Sequence, residues 1–392
     1  MHKIAQDVYW TGYVDWDLRL FHGYATPMGS TYNAFVIKDE KPTIIDTVKY
    51  YGYEEMLGRV KDVIDPGEIR YIISNHTEMD HSGTIDSLLK LCPRAEVVCS
   101  DKGEENLKRH FKKDWPFKVV KDGETLNIGK RDLVFKYMPM VHWPESMATY
   151  SVQDRILFPN DAFGQHIASH QRFADEPGVD TTIREAAKYY ANIVLPFGQP
   201  VTRVLDAIAS LPIDIICPSH GLIWRHPADV QSILEQYRQW SGHQTDNRVL
   251  IIYDTMWKST ERMAKHLYQT LDKAGIPVKL AHLENTHISD VITDIMFSKV
   301  VCFGTPMLNN RMLPTVAGML MYMKGLKPKG RKFFTFGSYG WSQQGFNEVE
   351  QSLTDAGLLQ AGPGHYVKFI PDDKDLEQLD NWVPLIENIF SG

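Results

Sequence analysis

The second half of the chain alternates apolar runs with amphipathic stretches, and it does so five times. The strand-like runs are RVLIIYD, PVKLAHL, KVVCFGTP, KFFTFGSYG and GHYVKFI, and residues such as Met263, Leu267 and Leu271 recur at helical spacing between them. Alternating strands and helices predict right-handed crossovers, and therefore a parallel sheet with helices on both faces. In the strand order 2-1-3-4-5, the loops after strands one, three and four meet at one edge of the sheet.

The first half has a different pattern. The runs DVYWTGYVDW, TYNAFVIKD and KPTIIDTVK follow one another closely, and helical stretches such as YEEMLGRVKDVID and TIREAAKYYANIV come later among the short apolar runs IRYIIS, AEVVCS, DLVFKYM, RILFP and IDIICP. Consecutive strands with helices between and after them predict two mixed sheets packed together with helices outside, an αββα arrangement.

A polar stretch, YRQWSGHQTDNR at Tyr237–Arg248, separates the two patterns. Charge changes at the same place, because residues 248–392 are balanced and the whole net charge of −7 belongs to residues 1–247. A length of 392 residues fits two or three domains. We therefore predict one domain over residues 1–245 and a second over residues 248–392.

Composition excludes several classes of protein. No apolar run is long enough for a membrane helix, and the start MHKIAQDVYW lacks the apolar region of a signal peptide, so we expect a cytoplasmic protein without a membrane partner. The negative net charge argues against a nucleic-acid partner. The four cysteines form no CxxC pair, so neither a zinc ribbon nor a rubredoxin-like iron site is encoded.

Potential metal ligands cluster in the segment NHTEMDHSG, directly after the apolar run that ends at Ser74. A single His or Asp after a strand is usually a turn residue or a hydrogen-bonded buried group, but four donors within six residues favour a metal site built on loops at a sheet edge. Three further donors also follow strand-like runs. The predicted ligands are His76, Glu78, Asp80, His81, His142, Asp161 and His220.

The types of donor narrow the choice of metal. Three carboxylates with up to four imidazoles exceed one tetrahedral zinc site and suit two six-coordinate ions with one bridging carboxylate. No thiolate occurs in these motifs. This set favours a non-haem di-iron centre over zinc, with manganese as a further alternative.

The loop after the first strand of the second half, YDTMWKSTERMA, has the character of a phosphate site. Hydroxyl groups and the backbone N–H groups of a helix start provide a nest for an anion, and no GxxxxGK[ST] or GxGxxG is present to indicate a triphosphate or a dinucleotide. Trp257, Tyr339 and Trp341 could flank a flat ring, and Asn309 and Asn310 could bind its edge. The alternative is that the hydroxyls are helix caps and the aromatic rings ordinary packing.

The predicted cofactor contacts lie in three loops of the second half. They are Thr255, Met256, Trp257, Ser259, Thr260, Thr305, Met307, Leu308, Asn309, Asn310, Ser338, Tyr339, Gly340 and Trp341.

Together, the motifs HTEMDHSG, VHWPESM, NDAFGQH and PSHG, followed by YDTMWKSTERMA, GTPMLNN and FGSYGWS, resemble the flavodiiron proteins, a family of cytoplasmic oxygen or nitric oxide reductases. The resemblance covers essentially the whole chain. It implies a metallo-β-lactamase-like αββα domain carrying two non-haem irons, followed by a flavodoxin-like doubly wound parallel sheet domain carrying FMN.

The resemblance also implies roles for individual residues. It assigns His76, Glu78 and His142 to one iron, Asp80, His81 and His220 to the other, and Asp161 to the bridge. It further implies that His22 and either Tyr189 or Tyr190 lie near the substrate pocket, where ordinary packing is the alternative.

The implied function is a reductase that passes electrons through FMN to the irons, which reduce dioxygen to water or nitric oxide to nitrous oxide. The chain resembles the minimal two-domain class, so its electrons would come from a separate rubredoxin-like donor, or from a reduced deazaflavin as in some archaeal relatives. A head-to-tail homodimer is also implied. Two alternatives are a metallo-β-lactamase-like hydrolase with a fused flavodoxin domain and a non-catalytic electron-transfer flavoprotein.

Overall fold

The computed structural model describes residues 2–392, which form two compact units. The first unit contains the residues up to His22, Thr26–Tyr189 and Phe197–Ser241. The second contains Gly23–Ala25, Tyr190–Pro196 and Gly242–Gly392. Among residues 2–392, no helix combines the length and apolar character that a membrane span requires.

The first unit contains most of the short strands. Strands β1–β16 are His2–Ala5, Val8–Trp10, Tyr13–Asp15, Leu20–Phe21, Tyr24–Ala25 (whose residues belong to the second unit), Ser30–Tyr32, Phe35–Ile37, Thr43–Ile45, Tyr71–Ile73, Glu96–Cys99, Phe117–Val119, Thr125–Asn127, Asp132–Tyr137, Met147–Ser151, Ile156–Phe158 and Ile215–Ile216. Helices α1–α7 are Tyr53–Lys61, Met79–Ser82, Ile85–Leu89, Asp101–Phe111, Val179–Tyr189, Gly198–Ile208 and Pro227–Ser241. Short 3₁₀ helices span Tyr50–Gly52, Pro66–Glu68 and Leu195–Phe197.

Two sheets form the core of the first unit. One has the order β1-β2-β7-β8-β9-β10-β11 and is antiparallel up to β8 and parallel beyond it, and the other has the order β12-β13-β14-β15-β16. Buried side chains from both sheets, including Phe35, Phe135 and Phe158, pack in one apolar cluster. A second cluster covers the other face of the larger sheet and includes Met56, Val60 and other helical residues. The predicted αββα arrangement is confirmed.

The second unit has one parallel sheet. Strands β17–β22 are Asp246–Tyr253, Val278–His282, Ser298–Pro306, Lys332–Tyr339, Leu359–Gln360 and His365–Lys368, and helices α8–α13 are Ser259–Lys273, Ile288–Phe297, Pro314–Leu326, Gln344–Asp355, Asp373–Asp380 and Trp382–Ser391. The order is β18-β17-β19-β20, with β21 and β22 both paired to β20, which confirms the predicted order 2-1-3-4-5. Met263, Leu267 and Leu271 are buried on α8, as their spacing predicts.

A π-helix at Tyr190–Val194 belongs to the second unit, although it follows α5 of the first. The amide nitrogen of Asn192 donates to the carbonyl oxygen of Ser289 at 3.1 Å, and the Tyr322 hydroxyl donates to the Asn192 side-chain oxygen at 2.7 Å. These bonds tie the π-helix to α9 and α10 within the unit.

Two details of the fold were not predicted from the sequence. The stretch Tyr237–Arg248 is not a continuous polar linker, because α7 continues to Ser241 with Tyr237 and Trp240 buried on one face, and β17 already begins at Asp246. Strand β14 has no apolar alternation in its sequence, MATYS, yet all its residues are buried. Its polar atoms are satisfied inside the core, since the Thr149 hydroxyl donates to the Asn75 side-chain oxygen at 2.8 Å.

Candidate metal centre and cofactor pocket

All seven predicted metal ligands converge at the ends of strands in the first unit. They form two groups, in each of which the potential ligand atoms lie within 4.8 Å of one another. The first group is His76, Glu78, His142 and Asp161, and the second is Asp80, His81 and His220.

The carboxylate of Asp161 connects the two groups. Its Oδ2 lies 3.1 Å from His142 Nε2 and 3.6 Å from His76 Nε2. Its Oδ1 lies 3.0 Å from His81 Nε2 and 3.4 Å from His220 Nε2. One oxygen therefore faces each group, which is the geometry of a bridging carboxylate.

The loop after β9 is held by a buried carboxylate that the sequence analysis did not select. Asp46 accepts hydrogen bonds from the backbone N–H of Asn75 at 2.8 Å and from its side-chain amide at 3.0 Å. Directly beyond Asn75, the chain places His76 and Glu78 before α2, and the first turn of α2 carries Asp80 and His81. Four donors thus fit into six residues because a strand end is followed at once by a helical turn.

Contacts outside the two groups fix the orientation of two imidazoles. His76 Nδ1 lies 2.8 Å from a carboxylate oxygen of Glu145, which also accepts hydrogen bonds from the backbone and hydroxyl of Thr77. His220 Nδ1 lies 2.7 Å from the carbonyl oxygen of Thr31. With Nδ1 engaged in this way, each ring directs Nε2 into the centre, as metal-binding imidazoles commonly do.

The electrostatics of the centre reflect buried charges of opposite sign. Burial alone would lower the pKa of His76, but hydrogen bonds to Glu145 and Glu78 hold it well above its ordinary value. Burial alone would raise the pKa of the Asp161 carboxyl, but the charge of His81 and the hydrogen bond from His142 hold it well below its usual range. The centre therefore combines anionic oxygen ligands with basic imidazoles.

Several buried polar atoms of the centre have no hydrogen-bond partner of acceptable geometry within residues 2–392. They are both carboxylate oxygens of Asp80, both ring nitrogens of His81 and Oδ1 of Asp161. Buried polar atoms are costly when unpaired, so this orphaned set fits a pair of bound cations. Mixed oxygen and nitrogen donors without thiolate fit iron.

Of the residues predicted near the substrate pocket, His22 lies at the centre. Its Nε2 is 2.9 Å from Oε1 of Glu78, and its side chain is 68% exposed. Tyr189 lies with its ring centroid 6.0 Å from that of His220. Tyr190 is instead the first residue of the π-helix and belongs to the second unit.

Sequence reasoning missed His166, which lies beside the centre. Its ring centroid is 4.9 Å from that of His220 and 5.1 Å from that of Tyr189, and its Nδ1 is 2.7 Å from the Ser30 hydroxyl. Burial, followed by the charge of His220, holds the pKa of His166 well below its ordinary value. The available signal was its place in NDAFGQH, five residues after Asp161.

In the second unit, a cavity of about 650 Å³ lies where β17, β19, β20 and β22 end. Most of the predicted cofactor contacts line it, namely Met256, Trp257, Ser259, Met307, Leu308, Asn309, Ser338, Tyr339, Gly340 and Trp341. Pro306, Phe369 and Ile370 also line it and were missed. The last two end the predicted fifth strand, GHYVKFI, but lie just beyond the observed strand β22, and no residue of this segment was among the predicted cofactor contacts.

The other four predicted contacts do not line this cavity. Asn310 lines a small adjoining cavity with Asn309 and Trp341. Thr260 is buried with its hydroxyl 3.4 Å from that of Ser338, and the Thr305 hydroxyl donates to the backbone at Pro306. Among residues 2–392, the buried Thr255 hydroxyl has no hydrogen-bond partner.

The pocket fits a flat cofactor with a phosphate. The orphaned Thr255 hydroxyl and the start of α8 at Ser259 supply polar groups for an anion, while Trp257, Tyr339 and Trp341 supply aromatic walls.

Comparison with known proteins supports the predicted fold of both halves of the chain. The model of the ODP family beta lactamases matches residues 30–221, and the flavodoxin model matches residues 251–382. A nitric oxide reductase of Moorella thermoacetica is 42% identical over 381 residues, which cover 96% of this chain and 95% of that protein.

Solved structures give the same picture. Rubredoxin oxygen:oxidoreductase from Desulfovibrio gigas is 38% identical with a TM-score of 0.97, over 99% of this chain and 98% of that one. The flavodiiron protein from Giardia intestinalis is 35% identical with a TM-score of 0.93, over 100% of this chain and 97% of that one. This chain therefore belongs to the flavodiiron proteins, and like its relatives it is an oxidoreductase that joins a β-lactamase-like domain to a flavodoxin domain.

Proposed function

We propose that this protein passes electrons from a redox partner through FMN to a non-haem di-iron centre that reduces dioxygen to water or nitric oxide to nitrous oxide. The observation that carries the proposal is the Asp161 carboxylate, which faces a group of ligand atoms with each of its oxygens. The relatives named nitric oxide reductase and rubredoxin oxygen:oxidoreductase support the two substrates.

Within this proposal, each ligand group holds one iron. His76, Glu78 and His142 bind the first, Asp80, His81 and His220 bind the second, and Asp161 bridges them. The close approach of the donor atoms within each group and the orphaned buried atoms support this assignment.

When bound, FMN would store two electrons and release them singly, and each iron would exchange one, so the two cofactors together could supply a multi-electron reduction. The chain's own contribution is to orient the centre and to hold a proton beside it. The hydrogen bond with Glu78 raises the pKa of His22, which favours a proton on this ring at the exposed edge of the centre. Tyr189 and His166 form part of the buried wall on the side of His220.

The test is steady-state reduction of dioxygen and of nitric oxide with the same reduced rubredoxin as the donor, alongside metal analysis. We expect about two irons and one FMN per chain, and turnover with at least one of the gases, with dioxygen as the favoured one. Because the sequence has no nicotinamide fingerprint, NADH alone should support only slow turnover. Zinc in place of iron, or no turnover by a protein with full iron and FMN, would contradict the proposal.

We also propose a head-to-tail homodimer in which the FMN of one chain serves the irons of the other. Its support is the exposed apolar rim of the flavin pocket, where Trp257 is 89% and Trp341 is 82% exposed and Phe369 and Ile370 are also exposed. Clustered apolar exposure of this kind marks interaction surfaces.

We also propose that the first domain spans residues 1–245 and the second spans residues 248–392. We further propose that the protein is located in the cytoplasm. The four cysteines support this location, because all are buried and free, as is usual in a reducing compartment.

A further inference from the structure

A cluster of tyrosines lies next to the second ligand group. Its members are Tyr13, Tyr32, Tyr50 and Tyr51, together with the carboxylate of Asp15; we call them the tyrosine cluster. The innermost ring is that of Tyr32, which is fully buried and meets the His220 ring edge to face at a centroid distance of 5.5 Å.

From Tyr32, a continuous series of ring contacts leads to the surface. The centroid of Tyr32 is 6.3 Å from that of Tyr51, and the centroid of Tyr51 is 5.2 Å from that of Tyr50. Tyr51 is 42% exposed and Tyr50 is 73% exposed. The series therefore connects a proposed iron ligand to solvent through aromatic rings alone.

The hydroxyl groups of the cluster converge on one carboxylate oxygen. Tyr51 donates its proton to Oδ2 of Asp15 at 2.5 Å, and its oxygen lies 3.2 Å from the Tyr32 hydroxyl, which also lies 3.5 Å from the same Oδ2 and can donate to either acceptor. Asp15 is buried and has no cationic partner among its hydrogen bonds to the described residues. Protons can thus move from Tyr32 to Tyr51 and from Tyr51 to Asp15 without a change in side-chain position.

The positive charge of a nearby lysine makes loss of the phenolic proton necessary when Tyr32 or Tyr51 is oxidised. Lys49 Nζ lies 5.7 Å from the ring centroid of Tyr32 and 5.4 Å from that of Tyr51. Its positive charge disfavours a second positive charge on either ring. An electron therefore leaves Tyr32 most readily when the phenolic proton leaves with it.

The next step rests on the proposed function. Reduction of dioxygen to two waters takes four electrons, and the iron pair supplies two when both ions go from ferrous to ferric. When the flavin is oxidised, the other two electrons have to come from elsewhere, and oxidising equivalents left at the centre endanger its ligands. We propose that Tyr32 and Tyr51 form a protective relay that carries such equivalents from the centre to the surface.

In the relay, Tyr32 gives one electron to the centre and its proton to Tyr51, while the Tyr51 proton passes to Asp15. The products are a neutral Tyr32 radical and a protonated carboxyl. Tyr51 then returns one electron and one proton to Tyr32 and becomes the radical. A soluble thiol restores Tyr51 with one hydrogen atom and is itself oxidised, two such thiyl radicals joining as a disulfide, and Asp15 releases its proton to solvent.

The experiment uses full-length protein with ferrous iron and oxidised FMN, mixed with dioxygen and frozen rapidly for electron paramagnetic resonance. We expect a tyrosyl radical, identified by its changed hyperfine splitting when the tyrosines are deuterated. Tyr32→Phe should decrease this signal about tenfold while leaving iron content unchanged, because the ring against His220 is kept. The matched control is Tyr137→Phe, which removes a hydroxyl that donates to the Val120 carbonyl oxygen at 2.6 Å, away from the cluster.

A second measurement quantifies inactivation and oxidative damage of the protein. Under repeated exposure to dioxygen with limiting donor, Tyr32→Phe and Tyr51→Phe should inactivate about threefold faster than the unchanged protein, with more oxidation of ligand-bearing peptides by mass spectrometry. A radical unaffected by Tyr32→Phe overturns the relay, as does a tryptophan radical at Trp143, whose ring is 5.0 Å from that of His76. If fully reduced protein with both cofactors turns over nitric oxide but not dioxygen, the relay is overturned, and if it turns over neither gas, the proposed function itself fails.

Discussion

Asp161 differs from the other proposed ligands because each of its two oxygens faces one ligand group. His81 is less firmly held, since neither of its ring nitrogens has a hydrogen-bond partner of acceptable geometry among the described residues, whereas His76 and His220 are anchored through Nδ1. A ligand held by an outer contact is oriented before the metal arrives. The seven residues therefore differ in how much each is expected to contribute to metal affinity.

This difference predicts the outcome of two substitutions. Asp161→Ala should lower iron affinity by at least about 100-fold, because both ions lose a ligand at once, while His81→Ala should cost less because water can take the place of one imidazole. Iron content after dialysis against a graded chelator measures the effect. Equal iron retention by the two variants would contradict the bridging role of Asp161.

The histidines of the centre also predict a dependence on pH. Burial lowers the pKa of His81, but the charges of Asp80 and Asp161 outweigh it and raise the pKa to about 9 in the absence of metal. A raised pKa contributes stability that is fully present below the unfolded value, near 6.5, and is lost as pH rises through about 9.

Chelator-treated protein should therefore lose stability toward unfolding between pH 6.5 and 9, by roughly 2–3 kcal/mol from His81. Iron-loaded protein should show a smaller decline, because metal binding requires the neutral imidazole and displaces its proton. Urea unfolding at the two pH values gives the comparison, with metal-free His81→Ala as the control. A metal-free protein as stable at pH 9 as at pH 6.5 would show that these imidazoles are not protonated in the fold.

For the strands and helices, the local pattern was enough to predict most strands and the residues that follow them. It located NHTEMDHSG after β9 and YDTMWKSTERMA after β17 because both segments combine a buried strand with unusual polar residues. It could not reveal Glu145, which reaches His76 from 69 positions away, or Asp46, which reaches Asn75 from 29. Such partners depend on how sheets pack, and nothing in their own neighbourhoods marks them.

The start of α8 predicts where the phosphate of FMN binds. Ser259 is its first residue and lines the flavin pocket, where a phosphate would meet the positive end of the helix dipole. Ser259→Asp should weaken FMN binding by about 100-fold or more through charge repulsion, without unfolding the unit. Flavin fluorescence after dilution measures release, and circular dichroism monitors the fold. The control Gln360→Glu introduces the same negative charge at an exposed position on β21 and should retain FMN. Full FMN occupancy in Ser259→Asp would show that the phosphate does not bind at this loop.

At the scale of the whole molecule, the central question is how the two cofactor sites communicate. The flavin pocket opens among exposed aromatic side chains, Trp257 and Trp341 above all. The proposed two-fold dimer would cover them and make each unlike contact twice.

Mixing two inactive variants tests this arrangement. Asp161→Ala lacks a working metal centre and Ser259→Asp lacks flavin, so a mixed dimer has its intact FMN on one chain and its intact irons on the other. Transfer between chains predicts that activity returns after subunit exchange, at up to about half the activity per dimer of the unchanged protein. Each variant exchanged with itself is the control. Mixed dimers that form and remain inactive would place electron transfer within one chain.

The π-helix at Tyr190–Val194 has a consequence for dissecting this protein. Because Asn192 bonds to Ser289 and Tyr322, a fragment that starts at Gly242 contains the whole parallel sheet but lacks one of the pieces that complete its unit. In a fragment that starts at Gly242, the Ser289 carbonyl and the Tyr322 hydroxyl would form hydrogen bonds with water instead of with Asn192. A recombination event that moves the flavodoxin-like half into another gene would therefore have to include the seven residues Tyr190–Pro196, which lie in the sequence of the β-lactamase-like half. Otherwise a substitute for these residues would have to evolve.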